Sequence, residues 1–258
     1  MRSHLKRLIR YRGMIKHMYV RDLKIRYERS IFGFAWTLLN PAAMLVVYTV
    51  FFSMIMKIGV PRFPIYLLSG MLAFNFVVRG MTSVSSTIWH NSYLINRVSF
   101  PHEALVISGM LSLLTDFLFE LVVLIVVMAV LRAPISIALV FVPVAAVILF
   151  MFGLGIALFF AVWVALYKDT EYLLGIVATA WFYMSPIFYP TSLIPEKYLA
   201  IYKLNPMVHL LALFREPIYS GNLPQLHTLG IALLCSGLML FIGMTLFKKY
   251  SPLFAELI

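Results

Sequence analysis

The sequence changes its preferred solvent within one short stretch, residues 21–41, RDLKIRYERSIFGFAWTLLNP. Charged residues recur at every second or third position up to Arg29, and no formally charged residue follows Ile31 until Lys57. A basic segment that runs directly into a long apolar run is typical of the cytoplasmic surface of a bilayer followed by a transmembrane helix. This stretch therefore predicts a membrane protein whose N-terminal segment lies at the cytoplasmic face.

The composition supports more than one span. Hydrophobic residues make up 62% of the 258 residues and charged residues 12%, with a mean hydropathy of +0.94. Soluble domains carry about 25% charged residues, and a chain this apolar could not cover its own surface in water. The predicted fold class is an all-α membrane protein, with room for about six spans of 20–25 residues.

The positive charge is concentrated at one end of the chain. The formal net charge is +11, and ten of the 21 lysine and arginine residues precede Ile31. The positive-inside rule places such residues on the cytoplasmic side, where anionic lipid attracts them. We therefore expect membrane lipid, and no nucleic acid, as the partner of this segment. With one cysteine, Cys235, the chain forms no intrachain disulfide.

Residues 1–32 are predicted to form an amphipathic helix at the membrane interface. Apolar side chains recur every three or four residues, and basic side chains occupy much of the remaining surface. Such a helix suits the headgroup layer of an anionic leaflet. The apolar stripe comprises Leu8, Tyr11, Ile15, Tyr19, Leu23 and Tyr27.

Six transmembrane helices are predicted from the apolar runs. Asn40-Pro41 predicts a kink or a late helix start in the first span, and Pro186 interrupts the fifth. The spans cover approximately 34–56, 65–88, 104–131, 136–166, 172–189 and 227–247.

The connections between the spans set the topology. Residues 89–103 form a polar cytoplasmic segment, and residues 190–226 contain five prolines around an apolar patch too short to span. That patch predicts a re-entrant helical segment on the outer side. With the N-terminus inside, fourteen lysine and arginine residues lie on the cytoplasmic side and six outside, so both termini are predicted to be cytoplasmic.

Three intramembrane charges require partners. Arg79 lies in the second span, and Asp116 and Glu120 lie one helical turn apart in the third. Buried charges seldom persist unpaired, so we expect Arg79 to pair with Asp116 or Glu120. A packing salt bridge is the favoured interpretation, because carriers usually concentrate more ionisable groups at mid-membrane. A proton or substrate relay is the alternative.

Catalytic chemistry finds little support in the sequence. The six histidines lack a metal-ligand spacing, one cysteine cannot build a thiolate site, and no G-x-x-x-x-G-K-[ST] motif occurs. We expect no catalytic residue, no metal site and no cofactor in this chain. If ATP drives the protein, a separate chain binds ATP and Mg. A membrane-embedded transferase would need an acid–base constellation, which we do not identify.

Aromatic residues cluster on the first and fifth spans. Stacked rings could give sugar rings an apolar platform, with tyrosine hydroxyls bonding to sugar hydroxyls. Interfacial belts and lipid-facing packing explain the same residues equally well. The candidates for lining a pore are Trp36, Tyr48, Phe51, Trp181, Phe182 and Tyr183.

Residues 23–41 resemble the R-Y-x-R-S-x-[LF]-G-x-x-W-x-[LF]-[LI]-[NR]-P motif of ABC-2 polysaccharide-export permeases, with Glu28 where a basic residue is usual. Three further segments agree in the same order, and together the four cover essentially the whole chain. In the segment over 167–174, Lys168 replaces the usual arginine. The segments are LINRVSFPHEAL (94–105), YKDTEYLL (167–174), and SPIFYPTSLIP (185–195) with NPMVHLLALFR (205–215). Within the family, the sequence is most similar to O-antigen exporter permeases, with teichoic-acid and capsule permeases close behind.

The resemblance implies a half-transporter in a bacterial inner membrane. Two copies would form the pore, and two separate ATP-binding-cassette subunits would power the export of a polyprenyl-pyrophosphate-linked glycan. Phe100 would project as an apolar knob into a groove of the ATPase. The coupling residues would be Asn96, Arg97, Val98, Ser99, Phe100 and Pro101.

The basic face before the first span would meet the lipid pyrophosphate, because arginine suits phosphate geometry. Generic attraction to anionic lipid is the alternative. The candidate contacts are Arg21, Lys24, Arg26 and Arg29. The alternative functions are a stand-alone proton-coupled carrier that uses Arg79, Asp116 and Glu120, and an ABC exporter of teichoic acid or capsule.

Overall fold

The computed structural model describes residues 10–28, 32–55, 59–133 and 135–257. These ranges contain helices and turns and no β-strand, which agrees with the predicted all-α class. Five helices are long and apolar enough to cross a membrane. They are Gly33–Phe52, Phe63–Val84, Glu103–Val130, Ile137–Leu166 and Leu226–Glu256.

Twelve α-helices lie in the described ranges, and we number them in chain order. Short 3₁₀ or π-helical turns extend several of them. The first six are α1 (Arg12–Tyr27), α2 (Trp36–Thr49), α3 (Phe63–Arg79), α4 (Thr87–His90), α5 (Ser92–Arg97) and α6 (Glu103–Val130). The remaining six are α7 (Val142–Leu166), α8 (Thr170–Tyr183), α9 (Glu196–Tyr202), α10 (Pro206–Arg215), α11 (Leu226–Tyr250) and α12 (Phe254–Leu257).

The first span does not start late at Asn40-Pro41. A 3₁₀ turn over Gly33–Ala35 leads into α2 at Trp36, and the helix continues through Pro41. Pro41 is the sixth residue of α2 and lacks the N–H that would bond four residues back, but the helix continues past it. The first span thus begins close to the predicted residue 34.

Helix α3 forms the centre of the molecule. Leu67, Leu68, Leu72, Ala73 and Val77 are each at most 1% exposed. The helix packs against α2, α6, α7 and α10. A helix that is apolar on all sides is one that is surrounded, and α3 is surrounded by protein rather than by lipid.

Four hydroxyl side chains of the polar run that follows α3 are buried or half-buried, whereas Ser83 is exposed. Ser85 and Ser86 have no exposed surface. Their hydroxyls, like those of Thr82 and Thr87, donate to backbone carbonyls three or four residues earlier, at distances of 2.6–3.1 Å. These internal bonds remove the cost of burying each hydroxyl, so the run needs no water-filled channel.

Helices α7 and α11 cross at two glycines. A Cβ at Gly155 would lie 2.5 Å from the backbone N of Leu240, and a Cβ at Gly243 would overlap the carbonyl of Gly155. The sequence predicts close approach at Gly153 and Gly155, and Gly155 meets α11 while Gly153 faces Met110 and Phe76. Small residues at a membrane helix crossing allow this backbone contact.

Helix α8 is shorter than the predicted fifth span over 172–189. It ends at Tyr183, and residues 184–189 form a turn around Pro186. Fourteen residues extend about 21 Å, against a hydrocarbon thickness of about 30 Å. Among these residues, all of which the structure describes, Leu174 alone is buried.

The outer segment, residues 190–226, folds back against the bundle. It contains α9, α10 and a π-helical turn over Glu216–Ser220. In α10, Leu210, Leu211, Leu213 and Phe214 have no exposed surface. Helix α10 packs against α3, α7 and α11, so its apolar patch is covered by protein.

Candidate functional site

The motif before the first span meets the intramembrane charges of the third. Arg26, at the end of α1, forms an ion pair with Asp116 near the middle of α6. The Asp116 side chain is 5% exposed and that of Arg26 is 37% exposed. Tyr19 adds a second bond between the same helices, since its hydroxyl lies 2.9 Å from Thr115 Oγ1.

Arg79 and Glu120 form the second intramembrane ion pair. Arg79 Nη1 donates to Glu120 Oε1 at 3.0 Å, and the Glu120 side chain is 4% exposed. The structure thus places Arg79 against Glu120, while Asp116 pairs with Arg26. Sequence analysis did not pair Arg26 with Asp116, because nothing in the pattern before the first span shows that this arginine reaches α6.

A cavity of about 190 Å³ joins these charges to the motif. Two arginines and two carboxylates give its wall no net charge, and Trp36 also lines it. Because the charged side chains and Asn40 share one cavity, a phosphate entering it would compete with carboxylates for the arginines. The charged and polar wall comprises Arg26, Thr37, Asn40, Arg79, Asp116 and Glu120.

Arg21 connects α1 to the coupling segment, which we define as residues 89–103. Its Nη2 donates to Asp22 Oδ1 at 2.8 Å and to Asn91 Oδ1 at 2.9 Å. Asn91 separates α4 from α5, and its own Nδ2 donates to Thr87 O at 2.8 Å. A neighbouring cavity of about 370 Å³ lies between α1 and this segment.

The other two headgroup candidates are Lys24 and Arg29. Lys24 is exposed and forms no ion pair within the described residues. Arg29 lies outside the described residues. Of the candidate cations, Lys24 is therefore the one whose charge no protein group shares in the described part of the chain.

The coupling segment presents polar residues and keeps its aromatic ring inside. Asn96, Arg97, Val98 and Ser99 are exposed. Phe100 is 4% exposed and Pro101 is buried as well. The prediction of a projecting phenylalanine knob is therefore wrong. A large apolar ring is more stable packed against the protein than held in water, and among residues 96–101 the exposed apolar side chain is Val98.

The candidate pore aromatics separate into exposed and packed residues. Trp36, Phe51 and Tyr183 are exposed, whereas Tyr48, Trp181 and Phe182 are half-buried. Phe182 lies 6.4 Å from Tyr48 and 5.4 Å from Phe74, measured between ring centroids. Tyr48 of α2, Phe74 of α3 and Phe182 of α8 thus form one cluster, and the three exposed candidates offer the larger free faces.

Trp181 anchors the outer segment. Its Nε1 donates to Asn205 Oδ1 at 2.9 Å. Asn205 Nδ2 donates to the Met184 carbonyl at 3.1 Å, and Asn205 Oδ1 also caps α10 through Met207 N. An asparagine immediately before a proline that opens a helix is a recognisable cap signal, yet its tie to Trp181 has no signature in the sequence.

Arg215 is a buried cation that sequence analysis missed. Its Nη1 donates to Pro186 O at 2.7 Å and its Nη2 to Ile187 O at 3.0 Å, and its Cζ lies 3.8 Å from the centroid of Tyr66. Gly70 leaves the space that the guanidinium occupies. The arginine ties the outer segment to α3 and to the turn after α8 without a carboxylate partner among the described residues.

Tyrosines line an outer cavity of about 530 Å³ next to Arg215. Tyr202 O–H donates to Tyr189 Oη at 3.1 Å. Burial, and then this hydrogen bond, raise the pKa of Tyr202 above its ordinary value. Burial likewise raises the pKa of Tyr219, whose hydroxyl donates to Pro61 O at 2.7 Å. Both phenols therefore stay neutral and act as hydrogen-bond groups.

The fold and this site define a multi-pass, all-helical membrane protein whose first-span motif meets paired intramembrane charges. The sequence from residue 14 to residue 219 matches the family model described as ABC-2 type transporter. The chain therefore belongs to the ABC-2 type transporter family.

Named relatives are similar along nearly their full length. The O-antigen export system permease protein RfbA of Myxococcus xanthus is 29% identical over 255 residues, 98% of both chains. A permease of the same description from Klebsiella pneumoniae is 25% identical over 92% of both chains. The polysialic acid transport protein KpsM of Escherichia coli is 27% identical over 91% of this chain and 92% of its own.

Proposed function

We propose that this chain is the membrane permease subunit of an ATP-driven exporter of a polyprenyl-pyrophosphate-linked, O-antigen-like polysaccharide. Two copies form the pore, and two separate ATP-binding-cassette subunits bind ATP and Mg and hydrolyse ATP. The chain itself carries no catalytic role. The similarity to the RfbA proteins supports the glycan cargo.

The single observation that carries this function is the contact between Arg21 and Asn91. Arg21 belongs to the basic motif proposed to meet the lipid pyrophosphate, and Asn91 lies within the segment proposed to meet the ATPase. One hydrogen bond therefore joins the segment proposed to bind the lipid pyrophosphate to the segment proposed to bind the ATPase. A movement of the coupling segment would change the position of α1 and of its basic face.

The proposed topology has six spans in the bacterial inner membrane with both termini cytoplasmic. Helix α8 and the turn after it make the fifth crossing in chain order, with α9 and α10 completing the outer side as a re-entrant gate. Helix α1 lies at the cytoplasmic interface. Its half-buried Tyr11, Ile15 and Tyr19 and its exposed basic residues fit that position.

In the proposed cycle, ATP binding by the partner moves the coupling segment and separates the first span from the fifth. The aromatic cluster around Phe182 is the contact that must open, since Tyr48 and Phe182 belong to the two spans that part. The exposed rings of Trp36, Phe51 and Tyr183 then offer sliding platforms for sugar rings.

The headgroup role is tested at Lys24, whose charge has no protein partner among the described residues. We expect Lys24→Glu to reduce binding of a polyprenyl pyrophosphate to the detergent-solubilised permease by about tenfold, because a cation is replaced by an anion at the phosphate. Lys16→Glu makes the same charge change on the exposed side of α1, farther from the first span, and we expect it to have little effect. Equal losses in both variants would indicate generic attraction to anions.

The energy source is tested in proteoliposomes. Transport of the glycan should require a partner ATP-binding-cassette subunit together with ATP, and a pH gradient alone should drive none. Transport driven by a pH gradient without an ATPase would instead establish the stand-alone carrier. The pairing of each intramembrane carboxylate with an arginine favours the exporter, because a proton relay needs a carboxylate that is free to titrate.

Capsular polysaccharide is a second candidate cargo, favoured by the similarity to the KpsM proteins. Complementation distinguishes the two cargoes. Restoring surface O-antigen in a permease-deficient strain supports the first, and restoring capsule alone supports the second.

A further inference from the structure

A cleft of about 600 Å³ lies between the coupling segment and the C-terminal segment, which we define as residues 251–257. The coupling segment supplies one wall, including Asn96, Arg97 and Val98. Lys248, at the end of α11, and the C-terminal segment supply the other wall. Two parts of the chain that are about 150 residues apart therefore border one cavity.

The C-terminal segment is attached firmly to the coupling segment. His102 Nδ1 lies 3.1 Å from Ser251 Oγ and 3.2 Å from Ser251 O. The His102 ring also stacks on Phe254 at 6.0 Å between centroids, and Phe254 is fully buried against Phe247. His102 and Phe254 therefore hold the C-terminal segment against the coupling segment.

The accessible charge of the cleft is positive. Arg97 and Lys248 are exposed and form no ion pair within the described residues, and Arg97 lies 4.1 Å from the Tyr93 ring centroid. The carboxylate in the cleft wall, Glu103, belongs to a residue that is 8% exposed. The complementary ligand is an acidic surface segment with an apolar side chain to cover Val98, which is 46% exposed.

We propose that the coupling segment and the C-terminal segment form one composite docking surface that receives an acidic segment of the partner ATPase. This inference rests on the proposed function and deepens it by adding a second wall to the ATPase contact. His102 is the positioning residue that keeps the two walls aligned.

The second wall has a mechanical consequence. Helix α11 runs without interruption from Leu226 to Tyr250, so a partner that moves the C-terminal segment moves α11. Because α11 crosses α7 at Gly155 and Gly243 in backbone contact, that movement passes directly into α7. The ATPase would therefore act on the bundle through α11 and α7 as well as through the coupling segment.

Charge reversal on each wall tests the composite surface in the co-expressed complex with the ATPase. We expect Lys248→Glu and Arg97→Glu each to weaken ATPase binding by about tenfold, as for loss of an interfacial charge pair. Both variants should also flatten the dependence of binding on salt concentration. Lys249→Glu is the matched control, because Lys249 is exposed and adjacent but lies outside the cleft, over the Tyr250 ring.

The role of His102 is tested by restoring its hydrogen bond. We expect His102→Ala to weaken ATPase binding and His102→Asn to recover part of the loss, since an amide can still bond to Ser251. Each variant is first compared with the unmodified permease in its thermal unfolding. Recovery with the asparagine at equal thermal stability supports alignment of the walls, and no recovery overturns it.

The outcomes separate this inference from the proposed function. If Arg97→Glu weakens binding while Lys248→Glu does not, the ATPase docks on the coupling segment alone and the composite surface is excluded. If the unmodified permease binds no ATPase, the proposed function fails first. If Lys248→Glu reduces only the anionic lipid that co-purifies, the cleft is a lipid site and the inference is overturned.

Discussion

At the level of single residues, the intramembrane charges are stable because each has a partner. Arg79 holds Glu120, whose side chain is 4% exposed, and Arg26 holds Asp116. In both pairs the carboxylate is buried and the arginine is about one-third exposed. Such a pair adds little net stability, but removing the arginine leaves a buried carboxylate without compensation.

We therefore predict that Arg79→Met destabilises the protein by about 1–3 kcal/mol, the cost of leaving the Glu120 carboxylate without its partner, and less than for a fully buried pair because Arg79 is 34% exposed. The double variant Arg79→Met/Glu120→Leu should recover most of this loss, because it removes both charges. Thermal unfolding in detergent measures both effects. The single variant Glu120→Leu completes the cycle, and if its loss and that of Arg79→Met simply add in the double variant, the two side chains do not interact.

The position of the Arg215 guanidinium depends on the absence of a side chain at Gly70. A Cβ on Gly70 would overlap Arg215 Nη2. We predict that Gly70→Ala displaces the guanidinium from the Pro186 and Ile187 carbonyls and costs about 1–3 kcal/mol, as for overpacking. Hydrogen exchange should then increase in the outer segment, and unchanged exchange there would contradict the tie that we assign to Arg215.

The control for this substitution is Gly175→Ala. Gly175 is also helical, and a Cβ there meets no atom within 4 Å. It should leave both stability and exchange in the outer segment close to those of the unmodified protein.

At the level of elements, the backbones of α7 and α11 lie in direct contact at Gly155 and Gly243. Their glycines bring the backbones close enough that side-chain packing contributes little at the crossing itself. The stability of this pair therefore depends on the absence of a Cβ at two positions.

We predict that Gly155→Ala separates α7 from α11 and destabilises the protein by about 1–3 kcal/mol. Gly237→Ala is the control, because a Cβ at that position of α11 meets nothing within 4 Å. Alanine is the better helix former by up to about 1 kcal/mol, so the control should be neutral or mildly stabilising. Equal unfolding temperatures for the two variants would exclude the glycine crossing as a determinant of stability.

At the level of the whole molecule, one chain leaves α8 with little cover. Leu173, Ile176 and Val177 are at least 49% exposed, and the helix is too short to cross the bilayer by itself. A second copy placed against this face would cover it, which supports the proposed homodimeric pore.

We predict that Ile176→Cys, in a Cys235→Ser background, forms a disulfide between two copies in membranes under mild oxidation. Ile125→Cys on α6 is the control, because Ile125 is 63% exposed and Ile176 is 68% exposed. Gel electrophoresis without reductant distinguishes the dimer from the monomer. Cross-linking at Ile125 but not at Ile176 would place the partner on α6 and refute the pore arrangement.

The pattern of apolar residues along the chain predicted much of this fold. The long apolar runs determined the all-α class and five of the spans to within a few residues, because a bilayer requires about 20 consecutive apolar residues and internally bonded backbone. The motif over 23–41 and its three companion segments identified the family, which the match over residues 14–219 shows. Segment length decides such features, and length is visible in the chain.

What the tertiary structure alone decided is which distant groups meet. Arg26 pairs with Asp116, so that Arg79 pairs with Glu120 alone. Phe100 packs inside the protein, and His102 holds the C-terminal segment. Pro186 already predicts an interruption of the fifth span, but the bonds from Asn205 and Arg215 of the outer segment to the backbone of that turn were not predictable. These contacts depend on where helices cross, and the apolar patterns that place a helix in the membrane do not specify its rotation against its neighbours.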